Sequence, residues 1–255
     1  MRRLTEFPCA GETLIGTLDE AGGTTGLLIV SGGNEVRTGA HRGMAMLAAS
    51  LAAEGVPVLR FDRRGVGDSS GENSGWSGSA DDLAAAVTAF RGEAPQLRRL
   101  VGFGICDAAT ALALFGRSAG LDELVLANPW TGEERKDDLP PPAAIRARYA
   151  ARLGDLGQWR RLLTGDVRIG SLLRGMRRAL SFKPQPLADR IVASGPTTII
   201  LAEGDATAQA FRAALPRKAG DLSLVIIPTA SHSFAGPENA AALEAALLAV
   251  IRATR

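Results

Sequence analysis

Short apolar runs alternate with helical patterns along most of this chain, and that rhythm constrains the fold more than any other feature. Residues 26–30, 56–61, 100–103, 123–127, 197–202 and 222–227 are mostly β-branched or leucine-rich, with little polar alternation. Runs of this kind fit strands buried on both faces. Helix candidates lie between them at residues 42–53, 80–91, 108–117, 207–214 and 237–252. Parallel strands need crossovers, and helical crossovers cover both faces of a sheet. The expectation is therefore an α/β fold with a mostly parallel sheet flanked by helices. Residues 3–7 and 13–18, on either side of Gly11, read as an antiparallel hairpin at one sheet edge.

The rhythm breaks between Trp130 and about Asp189. Asp137-Asp-Leu-Pro-Pro-Pro142 reads as a linker or turn, and residues 143–182 are arginine-rich with helical spacing and no credible strand. The expected organisation is a core of residues 1–130 and 190–255, with a small helical cap, 131–189, inserted after the sixth strand. Surface helices with solvated arginines are the plainer alternative for the charge.

A chain of 255 residues is long enough for one large core and such a cap. The formal charge of +2, without a basic stripe interleaved with aromatics, gives no argument for nucleic acid. The N-terminal Met1-Arg-Arg-Leu-Thr-Glu-Phe-Pro lacks the apolar centre of a signal peptide, and no apolar run is long enough to span a bilayer. A cytoplasmic setting without membrane insertion is expected, with Cys9 and Cys106 as reduced thiols. Two separated histidines and two cysteines give no metal-ligand spacing, so neither metal nor cofactor is expected.

The chemistry concentrates at Gly104-Ile-Cys106-Asp-Ala108, which follows an apolar run and precedes an Ala/Leu-rich helical segment. The pattern is that of a nucleophile elbow, G-x-S-x-G, with a thiol in place of the hydroxyl. Gly104 permits close approach of strand and helix, and Ala108 stands where a second glycine is usual. A helix beginning near Asp107 would point N–H groups at the sulfur, and helix N-termini and imidazoles favour thiolate over thiol. A free cysteine is more commonly a small buried hydrophobe; here the context points to a nucleophile. Gly67-Asp-Ser69-Ser-Gly71 matches the same letters but lies in a Gly/Ser/Asn loop with no helix directly after it. Gly102-Phe-Gly104 starts inside a strand and has Asp107 where a dinucleotide loop has its third glycine.

The chain has only two histidines. His232, in Pro228-Thr-Ala-Ser-His-Ser-Phe234, lies between the last strand and the C-terminal helix and is the expected general base. Asp205, after Gly204 beyond the penultimate strand, is the expected orienting acid, with Glu203 less favoured and a helix N-cap as the plainer role for Asp205. The oxyanion of an attacked carbonyl requires preorganised donors. The backbone of Asp107 and that of Gly33 or Asn34, in Ser31-Gly-Gly-Asn-Glu35, are the expected ones; a plain Gly-Gly turn is the alternative. His41, Arg37 and Trp130 are candidate substrate contacts, although a surface or capping role suits a lone histidine such as His41.

At these residues the chain resembles the α/β-hydrolase superfamily, whose members order the triad as nucleophile, acid, histidine. Leu59-Arg-Phe-Asp-Arg-Arg-Gly-Val-Gly-Asp-Ser-Ser-Gly71 is similar to the post-strand D-x-R-G-x-G-x-S segment of many members. More narrowly, the chain resembles the type-one hydrolases associated with the exosortase A system. The resemblance lies in Ser31-Gly-Gly, Arg37-x-Gly39-x-His41-Arg42, the Cys106 elbow, Ala127-Asn-Pro-Trp130 and Asp205-Ala-Thr-Ala-Gln209. It implies an eight-stranded α/β-hydrolase fold. It also implies a bacterial cytoplasmic hydrolase or acyltransferase connected with exopolysaccharide production and protein sorting. Cysteine elbows also occur in dienelactone hydrolases, which this chain resembles in triad type.

The expected function is acyl transfer from an ester or thioester through a Cys106–His232–Asp205 triad and an acyl-cysteine. The substrate would be a small acyl compound, anionic if the basic cap steers it. The rival reading is a binding or scaffold protein on a hydrolase fold that has lost catalysis, with a redox-sensing thiol as a third.

Overall fold

The computed structural model describes residues 1–132, 186–215 and 222–253. Most of the expected cap, 131–189, lies outside the described residues. The hairpin comes first: β1 (Arg2–Cys9) and β2 (Glu12–Asp19) pair antiparallel across a two-residue turn. Ala10 and Gly11 both take positive φ there, 50° and 87°. Turns of that hand match the twist of the strands they join.

The remaining elements are β3 (Thr25–Val30), α1 (Gly43–Ala53), β4 (Val58–Phe61), α2 (Ala80–Glu93), β5 (Arg99–Ile105), α3 (Asp107–Phe115) and β6 (Glu123–Ala127). After the break come α4 (Pro186–Val192), β7 (Thr197–Ala202), α5 (Ala206–Ala214), β8 (Ser223–Ile227) and α6 (Pro237–Arg252). The eight strands form one sheet in the order β1-β2-β4-β3-β5-β6-β7-β8. β2 joins β4 antiparallel, and from β4 to β8 all neighbours are parallel.

The strand residues alternate between two cores. Leu28 and Val30 face a cluster with α2, α3, α4 and α5, through Leu83, Phe90, Leu112, Ile191 and Phe211. Leu27, Ile29, Val101 and Phe103 face the opposite cluster, covered by α1 and α6 through Leu47, Leu51, Leu243 and Leu247. Both faces of the central strands are thus removed from water, as their unbroken apolar runs require.

β5 departs from its neighbours in a way that prepares the site. After Leu100, its residues on the α3 side are Gly102 and Gly104. A Cβ on Gly102 would lie 2.6 Å from a Leu121 methyl, and one on Gly104 would lie 3.0 Å from the Ala108 Cβ. Two missing side chains let α3 lie close against β5, and the small Ala108 maintains that approach.

Candidate active site

Cys106 joins β5 to α3 with no intervening loop. Its φ and ψ, 61° and −123°, are rare for an L residue; such conformations cost on the order of 1–3 kcal/mol and persist only where neighbours impose them. Here the neighbours are backbone groups. The Cys106 N–H donates to the Ala127 carbonyl at 3.0 Å, and the Cys106 carbonyl accepts from the Trp130 N–H at 3.1 Å. The last residue of β6 and the segment after it therefore clamp the elbow on both sides. The side chain is only partly buried and carries a free thiol.

His232 lies in the loop between β8 and α6, and its Nδ1 is 3.0 Å from Asp205 Oδ1. Asp205 is 7 % exposed at the start of α5. Its other carboxylate oxygen accepts from the Ala208 N–H at 2.9 Å. The N-cap role and the orienting role thus belong to one carboxylate, one oxygen each. Burial pushes the Asp205 carboxyl up, but the hydrogen bonds from His232 and from the Ala208 N–H outweigh it and hold the group below its ordinary range.

The imidazole moves the other way. Asp205 first, and the Cys106 sulfur second, raise its pKa to about 10 against the opposing effect of burial. The ring sits between the carboxylate and the thiol.

Asn128 is a part of this arrangement whose role the sequence did not reveal. It is fully buried, with φ 43°, directly after β6. Its side-chain NH₂ donates to the His232 carbonyl at 2.9 Å, and its side-chain oxygen accepts from the Ala202 N–H at 2.8 Å. One amide thus ties the histidine loop to the end of β7, where Asp205 follows. The available signal was an asparagine at the end of a buried strand, in a position that tolerates positive φ.

The oxyanion side is organised differently from the expectation. The Asp107 N–H is the first of α3 and has no acceptor within the helix. The Gly33 N–H, however, donates to both oxygens of the Asp107 carboxylate, each at 2.8 Å. Asn34 is held through its side-chain oxygen by Asn73 at 2.8 Å. Buried Arg63 supports the loop, donating to the Gly33 carbonyl at 2.7 Å with its NH₂ group 3.7 Å from Asp107. Ser31, buried at the end of β3, has no partner for its hydroxyl.

Of the candidate substrate contacts, Trp130 stands beside the elbow and is half-buried; its carbonyl accepts from the Thr110 hydroxyl at 2.6 Å. Arg37 turns to Asp62, Asp68 and the Thr17 hydroxyl. His41 is exposed, with φ 52° in the short 3₁₀ turn Ala40–Arg42. Ser69, in the look-alike motif, donates to the Asp62 carbonyl at 2.7 Å and accepts from the Ile15 N–H at 2.9 Å. Its hydroxyl braces β2 against the turn after β4. Among the described residues no group of three or more His, Cys, Asp or Glu side chains is placed to hold a metal ion, and no helix is long and apolar enough to cross a membrane.

Residues 27–246 match the model of the alpha/beta hydrolase family, and the chain belongs to that family. Solved structures share the fold at low identity. DcsB in complex with its substrate analogue is similar with a TM-score of 0.64 and 17% identity, covering 99% of each chain. The esterase Pf2001 of Pyrococcus furiosus follows at 0.63 and 17%, covering 98% of this chain and 92% of that one. A thermophilic esterase from Thermogutta terrifontis, with malate bound, gives 0.58 and 18% over 98% of each. The search of curated proteins found no significant match.

Proposed function

We propose that the protein is a cysteine-dependent acyl hydrolase or acyltransferase acting on an ester or thioester. The observation that carries this reading is the constellation itself. A thiol stands on a left-handed elbow at a helix N-terminus, and an imidazole bound to a buried aspartate takes part of its proton affinity from that sulfur. The esterases among the structural neighbours make a small ester or thioester the favoured substrate class. The segments that resemble the exosortase A system-associated hydrolases favour a setting in exopolysaccharide production, in the cytoplasm.

Asp205 and the Cys106 sulfur both raise the proton affinity of His232, which suits the ring to take the Cys106 proton before attack. The thiolate of Cys106 attacks the carbonyl carbon, and the carbonyl electron pair moves to oxygen. His232 then gives its proton to the departing alkoxide or thiolate, leaving an acyl-cysteine. The neutral imidazole next takes a proton from water, or from another acceptor, which attacks the acyl carbon and releases the thiolate. Asp205 holds one tautomer and stabilises the imidazolium.

The oxyanion needs donors, and the Gly33 N–H becomes one when the Asp107 carboxylate swings away toward Arg63. That filled donor is the one observation favouring the second reading, a scaffold that has lost catalysis. Turnover of an activated thioester separates the two. Cys106→Ala abolishes it on the first reading, while Ser69→Ala leaves it intact. No turnover by the wild-type chain across a panel of acyl thioesters, or activity that survives Cys106→Ala, overturns the proposal.

A further inference from the structure

The structure assigns a second binding site, for a phosphoryl group, to the antiparallel edge of the sheet. A cavity of about 270 Å³ opens there, and its walls include Arg2, Arg3, Arg37, Arg42, Arg60 and Thr17. No acidic residue lines it. The arginines converge from three separate parts of the chain: β1, β4 and the segment between β3 and α1. Thr38 adds a second hydroxyl from that segment.

Carboxylates hold four of these arginines in place without facing the cavity. Asp19 binds Arg2 at 2.6 Å and Arg60 at 3.3 Å. Glu20 and Glu93 bind Arg3, and Asp62 and Asp68 bind Arg37. The Arg3 guanidinium, bound to Glu93 of α2, lies on the other face of β1 from Arg2. Those of Arg2, Arg37 and Arg60 are fixed before any ligand arrives, so little ordering cost remains on binding.

Two features show that the cluster is incomplete as it stands. Arg60 is 2 % exposed, yet its Nε has no hydrogen-bond partner, and its single carboxylate is shared with Arg2. Burial, the nearby Arg2 and the nearby Arg37 all disfavour its charge, with Asp19 opposing them. Arg42 has neither an ion pair nor a side-chain hydrogen bond among the described residues. Arg60 donates to Asp19 and to the Arg37 carbonyl and keeps only its buried Nε–H unpaired, while exposed Arg42 is a free fork at the rim. An anion in the cavity would satisfy both.

The ligand's chemistry follows from the wall. Guanidinium forks recognise carboxylate and phosphate oxygens in pairs. A lone carboxylate presents two oxygens and satisfies one or two forks. A phosphoryl group presents three or more oxygens in a tetrahedral array and carries up to two charges, which suits guanidiniums arriving from three directions. The cavity is set on β1, β2 and β4, and β2 is three strands from β5. At the usual strand spacing that is roughly 14 Å from the strand that ends in Cys106. The site is thus separate from the elbow, and its assignment does not rest on the chemistry proposed there.

Inorganic pyrophosphate is the deciding probe, titrated calorimetrically into the full chain at constant ionic strength. One saturable site is expected. Arg42→Gln breaks no ion pair, and it should weaken binding about tenfold or more by removing one charged fork. Thr38→Asp, which adds a repelling carboxylate at an exposed wall position, should weaken it as well. Cys106→Ala should bind like the wild type, and Arg42→Gln should turn over a neutral ester at the wild-type rate. Adenosine diphosphate binding tighter than pyrophosphate identifies a nucleotide as the source of the phosphoryl group, and equal binding identifies the bare anion; either supports the site. Absence of saturable binding beyond a matched sodium chloride control overturns it. So does undiminished affinity in a folded Arg42→Gln chain, or loss of binding in Cys106→Ala.

Discussion

The two halves of the candidate active site stand in opposite states. In the acid–base half, Cys106, His232 and Asp205 are assembled, and each is held by a second contact: the Ala127 carbonyl and Trp130 N–H for the cysteine, Asn128 for the histidine loop, and the Ala208 N–H for the aspartate. In the oxyanion half, the Gly33 donor is filled by the protein's own carboxylate, Asp107. On the proposed chemistry, the first half needs no rearrangement, and the second needs Asp107 to release the Gly33 N–H. On that reading, the contrast makes the group that occupies the oxyanion donor, and not the three assembled side chains, the point at which turnover is controlled.

The first way to break the comparison is to remove the acid–base half. His232→Ala should lower kcat/KM for an activated thioester on the order of 10⁴-fold, because triad members act as a unit. A change under about tenfold would show that the ring is not engaged with the sulfur. The next largest effect should come from loosening the same half indirectly. Asn128→Leu removes the tie between the His232 carbonyl and the Ala202 N–H; displacements near 1 Å cost roughly 10²-fold in rate. Leaving those two backbone groups unpaired should also destabilise the fold by about 1–3 kcal/mol each, read from denaturant unfolding.

The oxyanion half should respond in the reverse direction. Asp107→Asn removes the charge that competes with an oxyanion for the Gly33 N–H. One such donor is worth roughly 10²–10³ in rate, so partial recovery should raise ester turnover about tenfold. Alkylation of Cys106 by iodoacetamide, which develops no oxyanion, should be unchanged. Turnover and alkylation falling together would show that Asp107 positions the sulfur instead.

The smallest effect is on stability against pH. His232 has its pKa raised from 6.5 to about 10 by folding, so its contribution is complete below pH 6.5 and is lost as pH rises toward 10. Asp205 is lowered from 3.8, so its contribution is present above that value and is lost on acidification through its lower folded value. The pair is therefore most stabilising between about pH 4 and 6.5. The melting temperature of the wild type should fall more between pH 6.5 and 10 than that of a His232→Gln chain. Parallel curves would remove the ion pair from the account.

The legibility of these features in the sequence tracks how local their physics is. The sheet was readable because strands buried on both faces are apolar without interruption, as in β5, β6 and β7. The positions of Cys106, Asp205 and His232 were readable because Cys106 follows β5 directly and the other two lie in the turns after β7 and β8, and the C-terminal ends of parallel strands share one edge. The hairpin was readable from Gly11 between two alternating runs.

Asn128 was not readable as an organiser because its partners are backbone groups 74 and 104 residues away. No side-chain pattern announces such a link. The filled Gly33 donor was hidden for a related reason: it depends on the direction in which one side chain, Asp107, leaves the helix. Arg37 was a reasonable substrate contact from its position, but the carboxylates that hold it come from the turn after β4. The letters of G-x-S-x-G at Ser69 mark a bracing hydroxyl, as its lack of a following helix indicated.

The central claim is that the Cys106 sulfur is the atom that receives the acyl group. Intact-protein mass spectrometry after mixing with an activated acyl thioester, followed by peptide mapping, tests it most directly. The account predicts one acyl adduct on Cys106 that builds up in the wild type and is absent from Cys106→Ala. An adduct on Ser69, or on any residue other than Cys106, or turnover without an adduct in a chain lacking that sulfur, would contradict it.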